Sequence, residues 1–141
     1  MKIVVSACLL GDNCKYNGGN NACQKVIDYL KGRDVIAVCP EQLGGLPTPR
    51  LPSEIRNGIV TNIEGESVDA AFRKGAMIAA DMAINEGATL AILQPRSPSC
   101  GCRQIYDGSF TKRLITGKGI FAQLLSDNNI KTIEPEDISN D

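Results

Sequence analysis

The chain has 141 residues, 43% hydrophobic and 22% charged, with 15 Lys and Arg against 16 Asp and Glu, a formal net charge of −1. That length suits one compact domain over residues 1–141, and the apolar fraction excludes wholesale disorder. The balanced charge argues against a polyanion-binding surface, so no nucleic-acid partner is expected. No apolar run approaches the ~20 residues of a membrane-spanning helix. The opening MKIVVSACLL passes directly into Gly11-Asp-Asn-Cys-Lys-Tyr16, which looks like a functional loop, so it reads as a first strand rather than a secretory leader. The expected setting is the cytoplasm, with no membrane partner.

Along the chain, Lys2–Ser6 (KIVVS) is a β-branched run that predicts a buried strand. Asn20–Leu30 carries Ala22, Cys23, Val26, Ile27 and Leu30 at helical spacing, with Asn at its start and Gly32 just beyond. Asp34–Val38 (DVIAV) predicts a second buried strand, stopped by Cys39-Pro40. Glu41–Pro52 (EQLGGLPTPRLP) is too rich in Gly and Pro for helix or central strand, and a loop that long in a small domain usually has a function. Ile59–Ile63 predicts one arm of a hairpin.

The clearest helix is marked by Val68, Ala71, Phe72, Gly75, Ala76, Ala79, Met82 and Ala83, with Ser67 or Asp69 as cap and Gly87 as stop. Thr89–Leu93 (TLAIL) predicts the third strand, Ser97–Gly101 a turn, and Asp107-Gly108 within Gln104–Ile115 a hairpin. Gly119–Ser126 predicts a last helix and Ile130–Ile133 a last strand. Alternating strands and helices of this kind give an α/β fold, a small three-layer Rossmann-like domain whose mostly parallel four-stranded sheet carries an added hairpin. Right-handed crossovers favour the strand order 2-1-3-4.

The chain contains no histidine, which removes Ser-His and Cys-His catalysis and His-ligated zinc. Acid–base work then falls to Asp, Glu, Lys, Tyr, a thiol or water. It also contains six cysteines, which in a reducing compartment more often bind metal or react than form structural disulfides. Cys8, Cys39 and Cys100 each follow a predicted strand. Parallel strands end at one edge of the sheet, where ligands bind at the reversal of strand order, so these three thiols converge if all three strands are parallel. Three thiolates leave one position of a four-ligand zinc or iron–sulfur site open, and an open iron is a Lewis acid that prefers sulfur donors.

Cys23, on an apolar helix face, is read as packing. Cys14 and Cys102 stay open between packing, spare ligand and resolving thiol. Glu41, two residues after Cys39, and Ser97, three before Cys100, can supply acid–base chemistry, although each alone would pass as a loop cap or turn former. Arg50, Arg96 and Arg103 are candidates for holding a substrate carbonyl or phosphate, against the ordinary alternative of solvated surface.

Several segments together resemble the thiouracil desulfidase family: Ser6-Ala-Cys-Leu-Leu-Gly11, Asn13-Cys-Lys-Tyr16, Val38-Cys-Pro-Glu-Gln-Leu-Gly-Gly-Leu-Pro-Thr-Pro-Arg50, Ala71-Phe72, Gly75-Ala76, Arg96-Ser-Pro-Ser-Cys-Gly101, Ile105-Tyr-Asp-Gly108 and Gly119. The similarity spans essentially the whole chain. It implies that Cys8, Cys39 and Cys100 hold a [4Fe-4S] cluster whose fourth iron binds the sulfur of a small-molecule thio-substrate. The implied reaction is non-redox removal of sulfur from a thiocarbonyl such as thiouracil or thiouridine, giving the oxo product and hydrogen sulfide. By the same resemblance Glu41 is the acid–base group, Ser97 its proton-handling or positioning partner, and Ser99 a substrate-binding candidate in the same loop. Some family members carry an additional C-terminal domain tied to larger RNA substrates, so a lone domain favours a free base or nucleoside. Cys102 stands where the family often has a small or polar residue.

The competing expectation, from a different class, is a metal or sulfur carrier that uses the same three cysteines without turnover. A carrier has no need of Glu41 or Ser97. A thiol-redox module built on Cys100-x-Cys102 is disfavoured because CxxC is absent.

Overall fold

A computed structural model describes residues 2–138. In chain order its elements are β1 (Lys2–Ser6), α1 (Gln24–Leu30), β2 (Asp34–Val38), α2 (Pro40–Leu43), β3 (Ser53–Arg56), β4 (Ile59–Asn62), α3 (Asp69–Asn85), β5 (Ala88–Ile92), β6 (Gln104–Tyr106), β7 (Leu114–Thr116), α4 (Ile120–Asp127) and β8 (Lys131–Ile133), with 3-10 turns at Ala7–Leu10 and Pro135–Asp137. The central sheet runs β2-β1-β5-β8, every pairing parallel, which is the expected 2-1-3-4 order. Two antiparallel hairpins, β3-β4 and β6-β7, are added to it.

The pleat of β1 separates the layers. Ile3 and Val5 face one side, where they pack with Val26 and Leu30 of α1. Val4, between them, faces the other side with Ala76, Ala79 and Ala83 of α3 and Phe121 and Leu125 of α4. All three β1 side chains are fully buried. Each contributes about 1.5–3 kcal/mol by leaving water, so β1 anchors both halves of the core.

Three elements depart from the sequence expectation. The helix expected from Asn20 begins only at Gln24. Residues 21–23 instead lie along the turn after β1, with the Asn21 and Cys23 N–H groups donating to the Cys8 and Leu9 carbonyls at 2.9 Å each. The segment expected to be all loop opens with the one-turn helix α2, where Pro40 occupies the first turn and loses no bond by lacking an N–H. Asp107-Gly108 does not close a two-residue turn. The β6-β7 connection runs over residues 107–113 because Glu54 Oε1 of β3 accepts the Gly108 and Phe110 N–H groups at 3.0 and 3.1 Å.

At the start of α3 the N-cap position belongs to Val68, which offers no side-chain acceptor. Ser67 Oγ accepts the Asp69 N–H at 3.4 Å, and Asp69 ties the helix start to its surroundings: its Oδ1 accepts the Val60 N–H of β4 at 3.0 Å and its Oδ2 pairs with Arg73 at 2.6 Å. Partial burial raises the Asp69 pKa, but the Arg73 and Val60 bonds outweigh it and hold the carboxyl below its ordinary 3.8. A carboxylate depressed in the folded state contributes stability above its unfolded pKa and loses it as pH falls through the folded value. Asp69→Asn is therefore expected to cost about 1 kcal/mol at pH 7, with the gap to wild type closing below pH 3.8. Urea unfolding at several pH values checks this, and a gap independent of pH would contradict it.

Candidate metal centre

The three thiols named from the sequence lie at the edge where the parallel strands end. Cys8 is in the 3-10 turn that follows β1, a turn closed by Gly11 in the left-handed region at φ 103°. Cys39 follows β2 directly and N-caps α2. Cys100 ends the Ser97–Cys100 turn that follows β5. Cys8 and Cys100 are buried and Cys39 is half-buried.

The thiols sense one another. Burial pushes the Cys8 thiol up, the nearby Cys39 and Glu41 add to this, and a hydrogen bond from Asn21 Nδ2 at 3.8 Å opposes it. Burial also pushes Cys100 up, against hydrogen bonds to Ser6 and Ser99, with Cys8 and Glu41 raising it further. Cys14 lies beside Cys39, and its thiol is pushed up to about 12, first by burial and then by Cys39. The Cys39 thiol donates to the Cys14 carbonyl at 3.7 Å. Among the described residues no three His, Cys, Asp or Glu side chains close around a single ion.

Beside these thiols runs a chain of polar groups. Ser99 Oγ donates to Glu41 Oε2 at 2.8 Å. A hydroxyl has one proton, so with that proton on Glu41 the 2.9 Å bond between Ser97 and Ser99 runs from Ser97 to Ser99. Ser97 Oγ in turn accepts the Ser99 and Cys100 N–H groups, both at 3.1 Å. The order is thus Ser97, Ser99, Glu41, and Ser97 reaches the carboxylate only through Ser99. Ser99 Oγ also lies 3.7 Å from Cys100 Sγ. The other oxygen of Glu41, Oε1, accepts Arg50 Nε at 3.0 Å, with both side chains largely buried.

Three positions carry more than their sequence signal. Arg50, one of three arginines with equal claims on paper, is a buried partner of Glu41. Ser99 touches Glu41 directly, and only its place in the Ser-Pro-Ser-Cys turn hints at this. Asn21, whose amide reaches Cys8, carries no sequence signal because its helical neighbourhood masks it. The remaining candidates lie elsewhere. Cys23 N-caps α1 and packs on the apolar layer. Cys102 is buried with Thr132 and Glu134 around its thiol. Arg103 pairs with Glu134, Glu136 and Asp137 on the surface, and Arg96 is exposed.

Comparison with known proteins decides what this arrangement is related to. The profile of the 2-thiouracil desulfurase family matches residues 3–137. The chain belongs to that family. It is 35% identical over 147 residues, 97% of both chains, to the uncharacterized protein YbbK of Bacillus subtilis (strain 168). It also resembles the solved structure of the [4Fe-4S]-dependent thiouracil desulfidase TudS, with a TM-score of 0.91 and 38% identity over 97% of this chain and 92% of that one. Within the family fold, the donor chemistry fits an iron–sulfur cluster: three soft thiols on loops at one edge of the sheet, in a chain without histidine.

The seat of Cys39 and Glu41 depends on how closely α2 approaches α3. A Cβ on Gly75 would collide with the Pro40 carbonyl oxygen and come within 2.8 Å of Gly44 N, and a Cβ on Gly44 would collide with the Ala71 carbonyl oxygen. Gly75→Ala is expected to cost about 1–3 kcal/mol through overpacking and to lower the iron content of the reconstituted protein relative to wild type. Thermal unfolding and iron analysis check this; unchanged iron loading would contradict the seating argument.

Proposed function

We propose that the protein is a [4Fe-4S]-dependent desulfidase that removes sulfur from a small thiocarbonyl compound, a thiolated pyrimidine base or nucleoside, releasing hydrogen sulfide and the oxo product. The observation that carries this reading is the Glu41–Ser99 hydrogen bond beside Cys100, an acid–base pair at the edge that carries the three thiols. Family membership and the likeness to TudS support it.

In this reading Cys8, Cys39 and Cys100 would hold the cluster, which would supply a Lewis acid for the sulfur of the substrate. Glu41 Oε2 takes a proton as water adds to the thiocarbonyl carbon, and its bond to Ser99 Oγ keeps that oxygen aimed at the site. Ser97 Oγ, donating to Ser99 Oγ, keeps the Ser99 proton directed at the carboxylate and so positions the pair from within the Ser97–Cys100 turn. Asn21 Nδ2 stabilises the Cys8 sulfur as a thiolate. The cytoplasm is the proposed setting; no helix among the described residues is long and apolar enough to cross a membrane.

A carrier would need the thiols and none of the Ser97–Ser99–Glu41–Arg50 array. Anaerobic reconstitution with iron and sulfide separates the two. Cys8→Ala, Cys39→Ala and Cys100→Ala are each expected to lose most of the visible absorbance and all turnover of 2-thiouracil. Glu41→Gln is expected to keep the absorbance while its kcat falls about 100-fold or more, the usual scale for a removed acid–base group. If Glu41→Gln turned over like wild type, the acid–base assignment would fail. A loaded wild type inert toward thiouracil and thiouridine would leave the carrier reading.

A further inference from the structure

Arg50 makes more polar contacts than any other side chain beside the thiols, and they join three separate segments. Its Nε donates to Glu41 Oε1 at 3.0 Å, its Nη2 to the Cys14 carbonyl at 2.8 Å, and its Nη1 to the Pro47 carbonyl at 3.1 Å and to Thr48 Oγ1 at 2.9 Å. Its own N–H donates to the Tyr16 carbonyl at 2.6 Å. The side chain is only 7% exposed, so these bonds form with little competition from water.

We infer that Arg50 is a positioning residue for the reaction: by occupying Oε1 of Glu41 it fixes the carboxylate's rotation and delivers Oε2 to Ser99 Oγ. This rests on the desulfidase reading for what the carboxylate does, and on the geometry alone for the pairing. A carboxylate on a one-turn helix has little else to fix it. α2 spans only Pro40–Leu43, and Glu41 lies in its first turn. Without a partner on Oε1 the side chain can rotate and exchange its oxygens, and a carboxylate about 1 Å out of place costs on the order of 100-fold in rate.

The planar fork of arginine suits this task in a way lysine does not. Nε serves Glu41 while the two terminal nitrogens are held by backbone carbonyls and Thr48, so the guanidinium plane is set from its far side. Thr48 is itself held, since Gln42 Nε2 of α2 donates to its Oγ1 at 2.9 Å. The Cys14 carbonyl that Arg50 holds also accepts the Cys39 thiol. The same guanidinium therefore ties the loop after β1 to Glu41 of α2 and to Cys39 at its N-cap.

The test uses the reconstituted full chain as wild type, Arg50→Lys and Thr48→Ala. Arg50→Lys keeps the charge and loses the fork; Thr48→Ala keeps Arg50 and removes one of its supports. Expected for Arg50→Lys are iron content and visible absorbance close to wild type, a 10- to 100-fold lower kcat on 2-thiouracil, and KM within about threefold. Thr48→Ala is expected to show the same pattern at about three- to tenfold. A raised KM at unchanged kcat, or activity lost only in proportion to iron, overturns the inference. Should Arg50→Lys fail to fold, Thr48→Ala decides by the same criteria.

A second readout needs no turnover. Urea midpoints are measured on the full chain for wild type, Arg50→Lys, Glu41→Gln and the double variant. The shift caused by Arg50→Lys is expected to be at least twofold smaller in the Glu41→Gln background; equal shifts overturn the pairing. A wild type that loads iron without acting on any thiocarbonyl compound refutes the desulfidase reading, and the midpoint cycle still decides whether Arg50 holds Glu41.

Discussion

Parallel pairing on both sides of β1 is the constraint from which the site follows. With β2 and β5 both parallel to β1, all three strands end at the same edge of the sheet. The loop after each strand carries one thiol, so three residues separated by 31 and 61 positions in the chain come to the same edge without any local motif to gather them. The connections leave β1 and β5 in opposite directions, which opens a crevice between the loops that follow these two neighbouring strands. An antiparallel strand at any of these positions would carry its cysteine to the opposite edge.

The edge brings the loops together; close backbone contacts fix their height above the sheet. α2 lies against α3 at a distance that Gly44 and Gly75 permit and a methyl group does not. The Ser97–Cys100 turn is seated in the same manner, because a Cβ on Gly119 would meet the Ser99 carbonyl group at 2.5 Å and one on Gly101 would meet the Ser97 carbonyl oxygen at 2.9 Å. The Gly119 N–H then donates to the Gly101 carbonyl at 2.7 Å, closing the base of the turn. None of these four glycines sits in the left-handed region, so it is their missing side chain that matters there.

This explains which parts of the molecule can be read from its sequence. β1 and β2 are legible to the residue because a β-branched run ended by a turn has one physical solution in a small core. α3 is legible because its small and apolar residues repeat at helical spacing over four turns. α2 is not, since a one-turn helix produces no period and its Pro and Gly neighbours signal loop. The segment 20–23 misleads for the opposite reason: its spacing is helical, but the carbonyls of the Cys8–Leu9 turn capture its N–H groups first. At the site, the placing of Cys8, Cys39 and Cys100 at one edge of the sheet follows from topology and is visible once the strands are. The Glu41–Ser99 and Glu41–Arg50 bonds depend on rotamers across segments 58 and 9 residues apart, which no spacing rule reaches.

The missing histidine gives those bonds their significance. An imidazole takes a proton on one nitrogen while the other is held by an orienting partner, so a single ring both moves the proton and is aimed. A carboxylate can divide the same labour between its two oxygens, but only if something distinguishes them. Here the guanidinium of Arg50 takes Oε1 and the hydroxyl of Ser99 takes Oε2. Ser97 does not share that role, because its one proton goes to Ser99 Oγ while its oxygen accepts the N–H groups of Ser99 and Cys100. The Ser97–Cys100 turn thus does two things with two hydroxyls: one folds the turn that presents Cys100, and the other connects it to the carboxylate.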